Sequence, residues 1–169
     1  SLPWWEPHHD KEINSILETD NGDLLIGTTY DGLFLLRDGR VTRWETPVNE
    51  LLLKSRLYSA AKLPDNRLAF GTILNGLIIS DYDGNVISYL NMEWGIQNNT
   101  VLSLFADKSS NLWLGLDNGI DYVEINSPLY YIGSDRIGTG YCSRVFDGNL
   151  YLGTNQGLYV APFDKKRVT

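Results

Sequence analysis

The stretch Leu24-Leu25-Ile26-Gly27-Thr28 decides the fold, because it returns three more times along the chain with small changes. The later copies are Leu68-Ala69-Phe70-Gly71-Thr72, Leu112-Trp113-Leu114-Gly115-Leu116 and Leu150-Tyr151-Leu152-Gly153-Thr154. Their glycines are 44, 44 and 38 positions apart. A near-constant interval of this length indicates a repeat architecture, in which each unit buries itself against the next.

The residues around each copy repeat as well. A glycine followed by an apolar residue comes shortly after every copy, as Gly32-Leu33, Gly76-Leu77, Gly119-Ile120 and Gly157-Leu158. A turn rich in Asp, Asn, Ser, Pro or Gly precedes each copy. The first three units begin with Ile13-Asn14-Ser15-Ile16, Leu57-Tyr58-Ser59-Ala60 and Val101-Leu102-Ser103-Leu104. We therefore predict four tandem copies of one structural unit.

Each unit is predicted to be a small antiparallel sheet. In the first unit, apolar runs separated by turn residues predict strands over 13–18, 24–28, 33–36 and 41–45. No stretch of roughly 10–12 residues has helical periodicity, and glycines interrupt every candidate. Four short strands per unit of this length are typical of the blades of a β-propeller. The predicted fold is all-β, with about four repeats of four antiparallel strands.

The last unit is predicted to be incomplete, because the charged sequence after Phe163 is too short for a fourth strand. We expect a partial propeller, an arc of a larger ring, whose two end faces favour contact with further blades of a parent protein or with a second copy. Two alternatives stay open: Trp4-Trp5-Glu6-Pro7 closes the ring as an extra strand, or two copies together complete it. The predicted boundaries are an N-terminal extension over 1–11, blades within 12–161 (12–47, 56–92, 100–134 and 140–161) and a tail over 162–169.

Composition excludes several classes of function. The 169 residues carry 14 Lys and Arg against 21 Asp and Glu, a net charge of −7, which argues against binding to nucleic acid. No apolar run is long enough to cross a bilayer, so we expect no direct membrane insertion. The single cysteine, Cys142, excludes an internal disulfide framework and a cysteine-rich metal site.

The repeat resembles that of the two-component regulator propeller family. The third unit carries the resemblance best, with Val101-Leu102-Ser103-Leu104, Asn111-Leu112-Trp113-Leu114-Gly115 and Asn118-Gly119-Ile120. Departures are few: Leu25, Ala69 and Tyr151 stand where Trp113 stands, and Leu116 replaces a threonine. The first strand of the fourth unit is expected to be short.

The resemblance implies a context as well as a fold. Propellers of this family are sensor regions of bacterial membrane-bound histidine kinases, including hybrid sensors of Bacteroidetes that respond to glycan fragments. It implies a non-catalytic, extracytoplasmic (periplasmic) segment with an oligosaccharide ligand and no cofactor. Any kinase activity would belong to a different segment of such a protein.

Chain direction predicts where a ligand would bind. In a four-stranded antiparallel blade, the turns after the second strands and the connections between blades emerge on one face. The long connections are 46–56, 91–100 and 134–141, and long loops on a rigid scaffold are where binding groups tend to lie. Because sugars are held by aromatic stacking and forked hydrogen bonds, our candidate ligand-binding residues are Tyr30, Arg56, Trp94, Asn98 and Arg136. The competing interpretation is that Trp94 covers a blade edge and the arginines are solvated or paired with acids.

Few residues in the sequence support catalysis or a metal site. His8 and His9 are adjacent, and neighbours on an extended chain point in opposite directions, so we predict no metal site. Cys142 has no histidine nearby in sequence to activate it. A propeller enzyme, such as a glycan lyase or hydrolase, remains an alternative, with only Glu50 and Glu93 as acids on the long-loop face. A protein-docking scaffold without a small ligand is the other alternative.

Overall fold

The part of the chain that the structure describes folds into four antiparallel sheets. The computed structural model describes residues 8, 10–127 and 137–163. The first sheet contains β1 (Ile13–Glu18), β2 (Leu24–Thr28), β3 (Gly32–Arg37) and β4 (Arg40–Arg43), in that order. An α-helix, α1 (Pro47–Ser55), follows it. The second sheet contains β5 (Leu57–Lys62), β6 (Arg67–Thr72), β7 (Leu77–Asp81) and β8 (Val86–Leu90), again in chain order.

The third and fourth sheets each have three described strands. A short 3-10 turn over Met92–Trp94 leads to the third sheet, which contains β9 (Val101–Ala106), β10 (Leu112–Leu116) and β11 (Ile120–Val123). The fourth sheet contains β12 (Gly140–Phe146), β13 (Asn149–Thr154) and β14 (Gly157–Pro162). No helix among the described residues is long and apolar enough to cross a membrane. The all-β prediction is confirmed, and the bounds of β1 and β2 coincide with the predicted ones.

The same irregularity occurs in the first strand of every sheet. In each of these strands one residue bulges out of the register with its neighbour, namely Asn14, Tyr58, Leu102 and Tyr141. A bulge strengthens the local twist of a strand and re-aims its side chains. Its recurrence at matching positions shows that the four units share a backbone conformation as well as a sequence pattern.

Steric contact explains why glycine recurs at the same position of every unit. Gly27, Gly71 and Gly115 pair with a serine of the preceding strand, and in the fourth sheet Gly153 pairs with Cys142. A Cβ atom built on any of these glycines would lie closer to the partner's Oγ or Sγ atom than van der Waals contact allows. The cysteine therefore occupies the serine position of the repeat.

Among the described residues, two hydrophobic cores lie between neighbouring sheets. The first joins Leu25 and Leu33 of the first sheet to Leu68, Phe70 and Ile78 of the second, with Val48 and Leu52 of α1 alongside. The second joins Ala69, Leu77 and Ile79 of the second sheet to Leu112, Leu114 and Leu116 of the third. Alternate residues of β6 thus pack in opposite directions, so both faces of the second sheet are covered.

The third sheet keeps one apolar face exposed. Opposite its buried leucines lie Phe105, Trp113, Ile120 and Tyr122, which are between 44% and 69% exposed. The Trp113 and Tyr122 rings are 4.8 Å apart in a tilted arrangement. The fourth sheet also exposes apolar side chains, among them Val145, Leu158 and Val160.

The first sheet differs from the expectation that both end faces are exposed. Ile26 and Phe34, which point away from the second sheet, are each only 5% exposed. The His8 ring lies 5.0 Å from the Phe34 ring, and the Lys11 ammonium lies 5.6 Å from its centroid. The sequence just before β1 therefore covers part of this face. Residues 4–7, which form a closing strand in one of the two alternatives, lie outside the described residues.

Two sequence predictions need correction. The connection 46–56 is not a loop, because α1 occupies most of it. The first strand of the fourth sheet is not short, since β12 has seven residues. A fourth strand in the third sheet stays a prediction, because the remainder of that predicted unit, 128–134, falls outside the described residues.

Candidate functional site

A repeated backbone hydrogen bond defines one edge of every sheet. The N–H just after the second strand donates to the carbonyl of the residue just before the first strand in all four units. The pairs are Thr29 to Glu12, Ile73 to Arg56, Asp117 to Thr100 and Asn155 to Thr139, at 2.9–3.1 Å. The connections between units and the turns after the second strands therefore meet in each sheet, as chain direction predicted. We call this edge of the four sheets the long-loop face.

Threonine hydroxyls stabilise the turns on this face. The Thr28 hydroxyl donates to the Gly32 carbonyl over 2.7 Å and accepts from the Asp31 N–H over 3.1 Å. Thr72 makes the same two bonds to Gly76 and Asn75. The threonine of the Gly-Thr motif therefore has a structural role. In the first sheet, its hydroxyl holds Tyr30 in a turn of fixed shape.

Tyr30 and Arg56 come together on the long-loop face. The Arg56 guanidinium carbon lies 5.7 Å from the centroid of the Tyr30 ring, within the range of a cation–π contact. Tyr30 is 60% exposed, and Arg56 is exposed as well. Two residues that are 26 positions apart thus form one surface group with an aromatic ring and a planar fork of N–H donors.

Helix α1 positions Arg56 beside Tyr30 on the long-loop face. The helix begins with Pro47 at its first turn, a position that proline favours, and Glu50 lies in the same turn. Arg56 ends the helix with a φ of 59°, and its N–H donates to the Leu52 carbonyl over 3.0 Å. This left-handed conformation is uncommon for a residue other than glycine. It turns the chain from the helix into β5 at the point where the arginine meets Tyr30.

A buried asparagine fixes the helix to the first sheet. Asn49 is 2% exposed, and its Oδ1 accepts from the Leu33 N–H over 2.7 Å. Its Nδ2 donates to the carbonyls of Trp44 at 2.8 Å and Leu33 at 3.3 Å. The helix also joins the second sheet, because the Val48 N–H donates to the Gly84 carbonyl over 2.9 Å. The Tyr30–Arg56 pair therefore lies where two sheets and the helix between them meet.

Asp31 adds a carboxylate beside Tyr30. Its Oδ1 forms an ion pair of 2.9 Å with Lys11, whose side chain is 17% exposed. The immediate surroundings of Tyr30 therefore contain an aromatic ring, a guanidinium and a paired carboxylate. These are the types of group that hold polyhydroxylated molecules.

Trp94 and Asn98 lie in the next connection, 91–100. Trp94 is 59% exposed at the end of the 3-10 turn. Asn98 is partly buried, and its Oδ1 accepts from the Thr100 N–H over 2.8 Å. Neighbouring Gln97 donates from its backbone and side chain to the Asp121 carboxylate. Within the described residues, no hydrogen bond, ion pair or ring contact joins Trp94 or Asn98 to the Tyr30–Arg56 pair, and Arg136 lies outside that part of the chain.

The groups considered for catalysis are not gathered into a site. Glu50 and Glu93 are both exposed, on α1 and in the 3-10 turn, and neither forms an ion pair in the part of the chain that the structure describes. Cys142 is exposed at the serine position of its unit. Among residues 8, 10–127 and 137–163, no group of three or more His, Cys, Asp or Glu side chains is placed to hold a metal ion.

A polar groove along the first strands was not anticipated from the sequence. It has a volume of about 610 Å³ and is lined by β1, β5 and β9. Asn14, at the bulge of β1, donates from Nδ2 to the Leu57 carbonyl of the second sheet over 2.5 Å. The Ser59 hydroxyl reaches the Val101 carbonyl of the third sheet at 3.5 Å. The bulge residue and the repeated serine thus link neighbouring sheets.

The chain is similar in structure to parts of several bacterial proteins. No protein-family model and no curated protein matches it. Among solved structures it matches the extracellular domain of the hybrid two-component system BT4673 from B. thetaiotaomicron at 26% identity over 95% of the chain, with a TM-score of 0.54. It matches the corresponding domain of BT3049 from the same organism at 24% identity over 97% of the chain, with a TM-score of 0.62.

A third match shows the fold alone. It is PorZ, a surface component of the type-IX secretion system of Porphyromonas gingivalis, at 15% identity over 93% of the chain, with a TM-score of 0.56. The chain spans 22% of the length of each of the two Bacteroides domains and 25% of PorZ. The resemblance drawn from the repeats is confirmed: the chain is similar in structure to the extracellular domains of Bacteroides hybrid two-component systems.

Proposed function

We propose that the chain is a non-catalytic, ligand-sensing segment of the extracytoplasmic part of a bacterial two-component sensor. The likeness to the extracellular domains of BT4673 and BT3049 supports the sensor role and the periplasmic location. The repeat pattern supports the same family independently of that likeness.

In this proposal the four sheets are the blades of a partial β-propeller. The shared bulge, the shared glycine–serine pair and the two cores between successive sheets support a regular stack. The exposed face with Phe105, Trp113 and Tyr122 corresponds to the face that the first and second sheets bury against their successors. Its partner would be the face of the fourth sheet with Leu150 and Leu152, which match Leu112 and Leu114 of the repeat.

The ligand in this proposal is an oligosaccharide on the long-loop face. The Tyr30–Arg56 pair is the observation that carries this assignment, since it combines an exposed ring with forked donors. Trp94 and Asn98, and Arg136 in the next connection, would contact further sugar units.

The position of the pair suggests how binding would be transmitted. Tyr30 belongs to a turn of the first sheet, and Arg56 lies between α1 and the second sheet. A ligand that contacts both residues would favour one arrangement of the two sheets. A signal follows only if the ligand binds the two arrangements with unequal affinity.

Binding to a panel of oligosaccharides tests the proposal. For a sugar that binds, we expect Tyr30→Ala and Arg56→Ala each to weaken binding about tenfold, as for loss of a stacked or charge-assisted contact. Arg40→Ala, which removes another exposed arginine at a tight turn, is the matched control and should leave the affinity unchanged. Calorimetric titration measures all three.

The same panel separates the alternatives. If the protein cleaves a sugar and Glu93→Gln abolishes this cleavage, the protein is an enzyme and the proposal is contradicted. A complete lack of sugar binding would favour the protein-docking scaffold.

A further inference from the structure

The backbone around Arg56 is held in place without the help of its guanidinium. The Arg56 N–H donates to the Leu52 carbonyl over 3.0 Å, and the Arg56 carbonyl accepts from the Ile73 N–H over 2.9 Å. The Ser55 carbonyl accepts from the Leu74 N–H over 3.1 Å. Because other backbone groups satisfy the end of α1, the side-chain N–H donors of Arg56 are not needed to cap the helix.

The arginine also occupies a backbone conformation that glycine adopts more easily. Arg56 follows the last residue of α1 with a φ of 59°. Helices commonly end on a glycine with positive φ, because glycine has no Cβ atom to clash with the backbone. Residues held in such uncommon conformations cluster at binding sites, where the side chain is required. An arginine in this place therefore points to a role for its side chain.

No carboxylate in the described part of the chain neutralises Arg56. The cations that pair there with Asp or Glu side chains are Lys11, Arg37, Arg43, Lys62 and Arg67. Arg56 is not among them, although the chain carries 21 Asp and Glu residues. Asp31, which follows Tyr30 in sequence, is paired with Lys11 instead. The positive charge of Arg56 is thus left for a partner other than these residues.

The contact with Tyr30 does not use up the hydrogen-bonding capacity of the guanidinium. An aromatic ring attracts the cation but is not a conventional acceptor, so the N–H donors of Arg56 have no acceptor among the described residues. The Tyr30 ring is 60% exposed, and Arg56 is exposed beside it. A ligand can therefore contact the ring and the donors at the same time. A planar fork of donors matches a carboxylate or a sulfate better than it matches a single hydroxyl.

We propose that the Tyr30–Arg56 pair selects an acidic oligosaccharide. A sugar ring packs against Tyr30, and an anionic substituent of the sugar, a carboxylate or a sulfate, accepts two hydrogen bonds from Arg56. The inference rests on the proposed function, because it names the class of sugar that the long-loop face binds. The net charge of −7 disfavours anions at long range, but physiological salt screens this repulsion beyond about 8 Å and leaves the direct contact effective.

Matched pairs of sugars test the inference. Calorimetric titration of the full chain compares trigalacturonic acid with its methyl ester, and a sulfated galactan oligosaccharide with its desulfated form. The two members of each pair differ chiefly in charge. We expect the acidic member of at least one pair to bind about tenfold more tightly, as for a charge-assisted hydrogen bond. The pair that shows this preference tells a carboxylate from a sulfate.

Two variants assign the preference to Arg56. Arg56→Gln removes the charge and the fork but keeps a polar side chain, and it should abolish the preference for the acidic member. Arg40→Gln, which removes an exposed arginine at a tight turn, is the matched control and should keep the preference. Circular dichroism checks that both variants fold. If Arg56→Gln does not fold, the preference of the wild type and its loss at high salt decide the question.

The outcomes separate this inference from the proposed function. Equal affinity within both pairs, or a preference that Arg56→Gln retains, overturns the inference and leaves the sensor proposal standing. An absence of binding by all four sugars also overturns the inference. In that case the proposed function survives if a neutral sugar of the panel binds, and it fails together with the inference if no sugar binds.

Discussion

The repeated glycines show how single residues control the spacing of strands and sheets. At Gly115 an added Cβ would meet only Ser103, and chiefly its hydroxyl. At Gly71 it would meet the Ser59 hydroxyl and also Val101 of the next sheet, including the backbone carbonyl at 2.9 Å. A hydroxyl can rotate away, but a backbone carbonyl in a neighbouring strand cannot. The same substitution should therefore have different consequences at the two positions.

We expect Gly71→Ala to lower the free energy of unfolding by about 1–3 kcal/mol, the usual cost of overpacking, and Gly115→Ala to cost less. Ser103→Ala should restore the stability lost in Gly115→Ala, because the clashing atom is then gone. Ser59→Ala should not restore the stability lost in Gly71→Ala, since the Val101 carbonyl remains. Urea denaturation of the two single and two double variants measures this, and equal rescue at both positions would contradict the packing described.

An ion pair at the β5–β6 turn predicts a response to acid. Arg67 hydrogen-bonds to the Asp65 carboxylate and, over 2.8 Å, to Asn126 beyond β11. The Arg67 guanidinium holds the pKa of Asp65 below its ordinary value of 3.8. A carboxyl whose pKa is lowered by folding stabilises the native state above its unfolded pKa, and this stability is lost as the pH falls through the folded pKa.

We therefore expect the wild type to lose stability more steeply than Asp65→Asn once the pH falls below 3.8. At neutral pH the variant should be the less stable of the two, because it lacks the charged partner of Arg67. Urea midpoints across this pH range provide the measurement. Parallel pH profiles for the two proteins would show that the pair contributes nothing to folding.

At the scale of elements, strands were predictable and the helix was not. The bounds of β1 and β2 follow from apolar runs between turn residues, and such local signals survive in the folded protein. Helix α1 was missed because it has only nine residues and a polar residue, Asn49, on its buried side. The signals that would have found it are Pro47 after Thr46 and the apolar spacing of Val48 and Leu52.

The helix also explains how far the candidate site was predictable. Chain direction placed Tyr30 and Arg56 on one face, but their contact depends on the way α1 ends, which no repeat pattern encodes.

Replacement of Asn49 tests whether this side chain fixes α1 to the first sheet. Asn49→Ala would leave the Leu33 N–H and carbonyl without their side-chain partner in a buried place, which costs about 1–3 kcal/mol for such groups. We also expect it to weaken any ligand that needs Arg56, because the helix that positions this residue is no longer fixed to β3. Glu50→Ala, an exposed neighbour on the same helix, is the control for stability. Equal unfolding midpoints for the two variants would contradict the anchoring role of Asn49.

At the scale of the whole molecule, the proposal depends on one stack of sheets. The first and second sheets bury the residues at positions 25 and 69 against their successors. The third sheet presents the large ring of Trp113 at the same position of the repeat, together with Phe105 and Tyr122. An aromatic face of this kind on a repeat protein is expected to pack against the next unit.

NMR spectroscopy of this 19.1 kDa chain tests that packing directly. The account predicts nuclear Overhauser cross-peaks between the Trp113 ring protons and the methyl groups of Leu150 or Leu152, lost in Trp113→Ala. If the wild-type Trp113 ring shows no cross-peak to β13 and stays accessible to a soluble quencher, the four sheets do not form one propeller arc.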